Sequence, residues 1–269
     1  MENFTNKKYL IITGAYGGMG WEACKLFSQQ GYIVFALDKS VKDKEENIIP
    51  IAVDLTDINS VQSAYKQIQS VTSSIDGIIH YAGIYALDSL VEMSEERFKQ
   101  VFEVNLFGVY SVNKTFLPLI KKGGKIIITT SELAPLAPLP FTGVYAISKS
   151  ALDRYAYSLK MEVQLLDIHV SVIRAGAVAT NMIGASTAAL DKFNSNTKLY
   201  KVNAERFTKI VNSVEAKSIP PIKIAQKTYK IVTAKKPKFS YSINRNKLLL
   251  LLNALPSKLH FFIIKKILK

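Results

Sequence analysis

The first thirty-eight residues restrict the fold more than any other stretch. Lys8-Tyr9-Leu10-Ile11-Ile12-Thr13 is a short apolar, β-rich run stopped by glycine, which reads as a buried strand. Gly14-Ala15-Tyr16-Gly17-Gly18-Met19-Gly20 follows at once. A helical pattern runs from Trp21 to Gln30 with Gly31 at its stop position, and Tyr32 to Leu37 is a second strand ending at Asp38. Strand, glycine-rich turn, helix, strand and acid form a dinucleotide-binding arrangement. Glycines let backbone approach a pyrophosphate, and the helix N-terminus offers N–H donors and the positive end of its dipole. Asp38 lies where a carboxylate can accept from ribose hydroxyls. The spacing is Thr-Gly-x-x-x-Gly-x-Gly rather than Gly-x-Gly-x-x-Gly, and a tight turn alone is the competing explanation.

The alternation continues along the chain. Strands are expected at Ile48–Val53, Asp76–His80, Lys125–Thr130, His169–Ile173 and Lys238–Ile243. Helices follow Asp54-Leu55-Thr56-Asp57, with Thr56 or Asp57 as N-cap, and Ser94, whose two following acids suit a first turn. Another helix runs from Tyr145 to about Leu166. Pro135, Pro138 and Pro140 keep the stretch before it out of helix and central strand. The expected class is α/β, a single doubly wound parallel sheet of about seven strands with helices on both faces and a C-terminal helical extension. The division is residues 1–245, including a segment of about 180–219 over the sheet, and an extension of 246–269.

Composition narrows the chemistry. A chain of 269 residues, 48% hydrophobic, can bury a full core. Cys24 is the sole cysteine, and His80, His169 and His260 are far apart, so no disulfide framework or metal motif is expected. The start, Met1 to Lys8, is polar, and no apolar run reaches the ~18 residues of a membrane span, so a cytoplasmic location is expected.

Val144-Tyr145-Ala146-Ile147-Ser148-Lys149 places a phenol and an ammonium at i and i+4, on one helix face. A lysine charge there favours the phenolate, so the Tyr145 pKa is expected to fall from about 10 toward the range useful for acid/base work. Taken with Thr13-Gly14-x-x-x-Gly18-x-Gly20, Asp54, Ala82-Gly83, Asn105 and Ser131, this pair resembles the short-chain dehydrogenase/reductase family from about Tyr9 to Thr180.

The resemblance implies a Rossmann-type, NAD(P)-dependent oxidoreductase acting on alcohols and ketones. It implies Tyr145 as acid/base, Lys149 lowering its pKa and holding the nicotinamide ribose, Ser131 bonding the substrate oxygen, and Asn105 anchoring the lysine through a water. Thr13, Gly14, Tyr16, Gly18, Met19, Gly20, Asp38, Asp54, Leu55, Ala82, Gly83, Gly176, Val178 and Thr180 complete the cofactor set. NAD is expected from Asp38, which would repel a 2′-phosphate; Lys39 keeps NADP as the alternative. Family members commonly pair through the helices bearing Asn105 and Tyr145, which implies a homodimer or homotetramer. A dinucleotide-binding sensor with little turnover is the second function class.

Three positions depart from the family pattern. His80-Tyr81 replaces Asn-Asn, which puts local packing in question. Ala175-Gly176 replaces Pro-Gly. Ser131 precedes Tyr145 by fourteen positions, where thirteen is usual and Glu132 stands. Ser131 is the expected catalytic residue, because a carboxylate would repel developing alkoxide charge.

Met182, Ile183, Leu190, Phe193, Leu199, Tyr200 and Phe207 either line an apolar substrate pocket or form a satellite core. The tail is set apart by charge. Of 35 Lys and Arg, thirteen follow Glu215, the last of the 21 acids, which leaves twenty-two against twenty-one before it. Leu248 to Leu252 is unbroken; after Pro256, residues Leu259, Phe262, Ile263 and Ile267 share one helix face, broadened by Phe261, Ile264 and Leu268, among four lysines. Such a basic amphipathic helix lies on anionic lipid, each nearby Lys or Arg contributing about 1 kcal/mol; packing on the fold is the alternative. Peripheral contact with the inner membrane face is therefore expected, and nucleic acid is not, since aliphatics rather than stacking aromatics separate the charges.

Overall fold

The computed structural model describes residues 7–215 and 217–269, apart from the side chains of residues 181–183, 185 and 212–215. Met182 and Ile183, expected near the substrate, and the first six residues of the polar start lie outside that description. Among the described residues seven parallel strands form one sheet: β1 (Lys8–Thr13), β2 (Tyr32–Asp38), β3 (Ile48–Ala52), β4 (Ile75–His80), β5 (Ile120–Ser131), β6 (His169–Ala175) and β7 (Ser240–Ile243). Their order is β3-β2-β1-β4-β5-β6-β7, so the winding direction reverses between β1 and β4 and opens a crevice outside their C-terminal ends.

The helices are α1 (Gly18–Gln29), α2 (Ile58–Gln69), α3 (Glu95–Phe102), α4 (Gly108–Phe116), α5 (Gly143–Val163), α6 (Asn181–Asn196), α7 (Lys201–Glu215), α8 (Pro221–Thr233), α9 (Lys247–Asn253) and α10 (Ser257–Leu268). Side chains alternate across a strand, and both faces of this sheet are covered, so its strands read as unbroken apolar runs. Ile11, Ile78, Ile126 and Ile128 pack on Val61, Val112 and Leu152 of α2, α4 and α5. Leu10, Ile12, Ile79 and Ile127 pack on Phe27, Ile224 and Ile231 of α1 and α8.

Two local features shift the expected boundaries. β5 begins at Ile120, five residues earlier than expected, with Gly123 at φ +79° and a register shift against β4 between Ile75 and Gly77. The helix opened by Ser94 is interrupted by a π-helical turn, Glu103–Phe107, between α3 and α4. Such single-turn insertions widen the helix by one residue and reorient a side chain; here the residue is Asn105, which is buried.

A smaller apolar cluster sits over the C-terminal edge of the sheet. Leu190, Phe193 and Phe207 of α6 and α7 close on Phe141, Leu87 and Leu268 of α10. Among the described residues, hydrogen bonds tie the extension to the rest of the fold. Asn246 N donates to Glu132 Oε2 (2.6 Å), Ala137 N to Asn253 Oδ1 (2.7 Å), and Asn203 Nδ2 to the Leu268 carbonyl (2.6 Å). Among the described residues no helix is long and apolar enough to cross a membrane.

Candidate active site

A groove of about 690 Å³ runs along the crevice at the ends of β1, β2 and β4. Its floor needs glycine. Gly14 has φ +65°, and a Cβ there would lie 2.5 Å from Ala82 N. A Cβ on Gly18 would lie 2.7 Å from Thr180 Cγ2, and one on Gly20 would overlap the Gly14 carbonyl oxygen. The N-cap of α1, Gly17, carries no capping side chain and its first turn holds no acid, so its N–H groups stay free for an anion. Asp38 Oδ2 accepts from Tyr16 N (2.9 Å) and Oδ1 from Lys39 N (2.8 Å), which holds the carboxylate against the groove. Lys39 Nζ turns instead to Asp54 Oδ2, 2.9 Å away. Met19, Leu55, Ala82, Gly83 and Thr180 also line the groove. A cradle that a methyl group would fill, beside an open helix end and a fixed carboxylate, fits a nicotinamide dinucleotide. Thr13 does not line it. Its side chain is fully buried in the sheet, with Oγ1 3.5 Å from His80 Nδ1.

The groove continues into a second cavity of about 220 Å³, lined by Ser131, Glu132, Tyr145, Lys149, Gly176 and Val178. Met19, Gly83 and Thr180 line both. Tyr145 stands in the first turn of α5 and is hydrogen-bonded to Ser131, at the end of β5. Lys149, one turn on, has Nζ 5.9 Å from the Tyr145 ring centre and donates to the Thr129 carbonyl at 3.2 Å.

The expected fall of the Tyr145 pKa is not what this arrangement gives. Burial raises it, the neighbouring Tyr85 raises it further, and the Ser131 hydrogen bond only partly opposes them. The i, i+4 spacing predicted the lysine as neighbour, but not that phenol and ammonium would both be desolvated. Burial likewise lowers Lys149 from 10.5 to about 8.

Asn105 lies behind this pair. Its Oδ1 accepts from Ile84 N (2.8 Å), and its Nδ2 donates to the Ile84 carbonyl (3.0 Å) and to Ser148 Oγ (3.1 Å). It lines neither cavity directly. A Cβ on Gly83 would lie 3.1 Å from Asn105 Oδ1 and 3.3 Å from Lys149 Nζ, so a side chain there would press on both groups by a few tenths of an ångström.

The unusual positions are accommodated by packing. His80 is fully buried and held at about 4, so its neutral ring donates from Nε2 to Asn113 Oδ1 at 2.9 Å. Tyr81 Oη pairs with Thr228 Oγ1 at 2.6 Å. Gly176 N donates to the Ile243 carbonyl, and a Cβ at this position would overlap the Asn244 carbonyl oxygen, so the approach of the β7 end requires glycine where the family has it. Glu132 also lines this cavity, and its Oε2 accepts from Asn246 N at the start of α9; burial raises its pKa.

Sequence reasoning missed Tyr85, whose ring centre is 4.9 Å from that of Tyr145, and Thr129 and Ser186. Both hydroxyls are buried beside the second cavity without a hydrogen-bond partner. No spacing signal marks them, because they reach the cavity from β5 and α6, far apart in sequence. Among the described residues no cluster of His, Cys, Asp and Glu could hold a metal ion.

The family model for short chain dehydrogenases matches residues 8–191. The chain belongs to that family. Its members are NAD(P)-dependent oxidoreductases, and so is this dehydrogenase. It is 29% identical to a 3-ketodihydrosphingosine reductase of Bacteroides thetaiotaomicron, over 86% of this chain and 85% of that protein. It is 25% identical to human 17-beta-hydroxysteroid dehydrogenase type 2, over 81% of this chain and 62% of that protein. A short chain dehydrogenase family protein of Francisella tularensis shares the fold with a TM-score of 0.75 at 22% identity, covering 88% of this chain and 97% of its own.

The buried ammonium gives a stability signature. Between about 8 and 10.5 the unfolded chain binds the Lys149 proton that the folded chain has released, so this group makes stability rise with pH across that window. Lys149→Met should flatten the rise, read as the urea midpoint at pH 7.5, 8.5 and 9.5 for both proteins. Identical slopes would show that the ammonium is not desolvated.

Proposed function

We propose that this dehydrogenase transfers hydride between NAD(H) and a lipophilic alcohol or ketone, with Tyr145 as the acid/base. The observation that carries the reading is the meeting of Ser131, Tyr145 and Lys149 on an apolar cavity that opens into the glycine groove. The bound nicotinamide supplies or accepts the hydride. Ser131 Oγ and the Tyr145 hydroxyl both address the substrate oxygen, and in reduction both donate to the developing alkoxide. In oxidation Tyr145 first gives its proton to solvent, the Lys149 ammonium beside its ring stabilises the phenolate, and the phenolate then takes the proton of the substrate hydroxyl while Ser131 holds its oxygen. Asn105 holds the Ile84 backbone next to Gly83 and so fixes the wall against which Lys149 sits. Glu132, engaged with Asn246, is not assigned a proton-transfer role.

The substrate class follows from the lining. Leu133, Leu139, Phe207, Ile210, Val211 and Leu249 supply apolar walls, while Thr129 Oγ1 and Ser186 Oγ offer two hydrogen-bonding points. Of the segment around 180–219, Phe207 serves both the cavity and the satellite core, Leu190 and Phe193 serve the core, and Leu199 is exposed. Two relatives carry names that specify lipid molecules, a ketodihydrosphingosine and a hydroxysteroid. The reading places the enzyme in the cytoplasm, with residues 1–245 as the catalytic domain and 246–269 in peripheral contact with the inner membrane face.

Tyr145→Phe should bind NADH with unchanged affinity and lose all but a small fraction of turnover, on the order of 10²-fold or more. A panel of long-chain, steroidal and small polar ketones reads both points. Full activity in the variant sinks the mechanism, a preference for sugars sinks the lipophilic reading, and tight NADH binding with no ketone reduced favours a sensor.

Asp38 faces the groove and Lys39 is drawn to Asp54, so NADH should bind at least tenfold more tightly than NADPH. Fluorescence titration of both cofactors measures it, and tighter NADPH binding reverses the assignment.

Phe107 and Tyr110 near the start of α4, and Ile147, Tyr157 and Met161 on α5, are exposed. They supply the face through which a homodimer or homotetramer would form. Light scattering at micromolar concentration should give a multiple of 29.9 kDa; a monomeric mass contradicts it.

A further inference from the structure

The last helix divides its apolar residues between two edges. His260, Ile264 and Leu268, spaced four apart, face inward: His260 and Leu268 are buried and Ile264 packs on the α7 cluster. Leu259, Phe262 and Ile267 stay in water, and so does Phe261 on the other flank of the buried edge. Phe261 is 71% and Phe262 60% exposed, high for aromatic side chains. α9 repeats the division on a smaller scale. Leu249 lines the substrate cavity, while Leu248 (70%) and Leu251 (65%) are exposed. Lys247, Lys258, Lys265, Lys266 and Lys269 are exposed among these side chains, and no Asp or Glu occurs after Glu215.

We propose that the exposed sides of α9 and α10 form a docking face for an anionic lipid bilayer, and that α9 is at once part of this face and a wall of the substrate cavity. Charge selects the occupant. A second copy of the same face would bring two sets of lysines together with no acid to neutralise them, whereas phosphate-bearing headgroups complement them. The inward edge explains why the tail need not unfold to dock, since its packing side chains differ from its exposed ones. Glu132 and Asn253 tie the two ends of α9 to the loop that follows β5, so the helix that meets lipid is fixed relative to Ser131. A lipophilic substrate dissolved in the bilayer then has a short path past Leu249. Docking of this kind rests on the lipophilic-substrate reading for its purpose, but not for its measurement.

The test uses the full chain in flotation with phosphatidylglycerol vesicles and with phosphatidylcholine vesicles at low salt. The expected result is co-flotation with the anionic vesicles alone, reduced at least tenfold in the partition coefficient by F261S/F262S and, separately, by K265E/K266E. All four positions are exposed, so thermal midpoints should match the parent. A further variant, Leu251→Trp, should lose fluorescence to brominated acyl chains, while the native protein, whose sole tryptophan is Trp21 on α1, should not. Absence of anionic flotation, flotation indifferent to both double variants, or loss of a higher-mass species in light scattering without any lipid binding overturns the proposal; the last result assigns the face to self-association. A chain that docks but reduces no lipophilic ketone removes the substrate reading and leaves docking intact. A chain that reduces such ketones in detergent and ignores vesicles does the reverse.

Discussion

An ammonium group buried between a strand end and a helix is the constraint on which the site depends. Lys149 has lost nearly all contact with water, which is costly for a charged group unless polar atoms replace the lost hydration. The Thr129 carbonyl at the end of β5 does part of this, and the absence of a side chain at Gly83 leaves room for Nζ beside Asn105 Oδ1. Three elements must therefore be positioned together: the end of β4 with Gly83, the π-helical turn with Asn105, and the first turns of α5 with Tyr145 and Lys149. The sheet order makes this feasible, because β4 and β5 are neighbours and their C-terminal ends open on the same edge.

The sheet was legible because its strands are buried on both faces. Ile126, Ile127 and Ile128 divide between two cores, and each position must be apolar whichever way it points. The same logic fails where a strand leaves the core. Lys121, Lys122, Gly123 and Gly124 carry no apolar signal, yet they belong to β5, whose first residue pairs with Ile75. The π-helical turn was equally silent. One extra residue per turn changes which side chain faces inward without altering composition, and the helix following Ser94 reads as continuous.

At the site, the glycine turn, Asp38 and the Tyr145–Lys149 pair were legible because their chemistry depends on spacing within one element. The sign of the Tyr145 shift was not. Spacing shows that lysine and tyrosine are neighbours, whereas the protonation state depends on how much water both lose when Tyr85 and the cavity walls close over them. The choice between Ser131 and Glu132 is of the same kind. Counting back thirteen positions from Tyr145 lands on Glu132, but the alternation of β5 into its following turn sends the Ser131 side chain to the phenol and the next one to Asn246. Thr129 and Ser186 stayed hidden because tertiary structure alone brings them to one cavity.

The tail shows how a correct pattern can still leave the partner of each face undecided. Hydrophobic periodicity picked out Leu259, Phe262, Ile263 and Ile267, the strongest stripe on α10. The fold divides that face: Leu259, Phe262 and Ile267 face water, whereas Ile264 and Leu268 on its margin pack, together with the polar His260. Periodicity ranks faces by their transfer free energy and carries no information about which surface is available to receive them. A helix that buried its most apolar face against the domain would need no second partner. One that gives the domain the edge of His260, Ile264 and Leu268 keeps Leu259, Phe262 and Ile267 in water, and the four lysines on the same helix add the charge that favours solubility there.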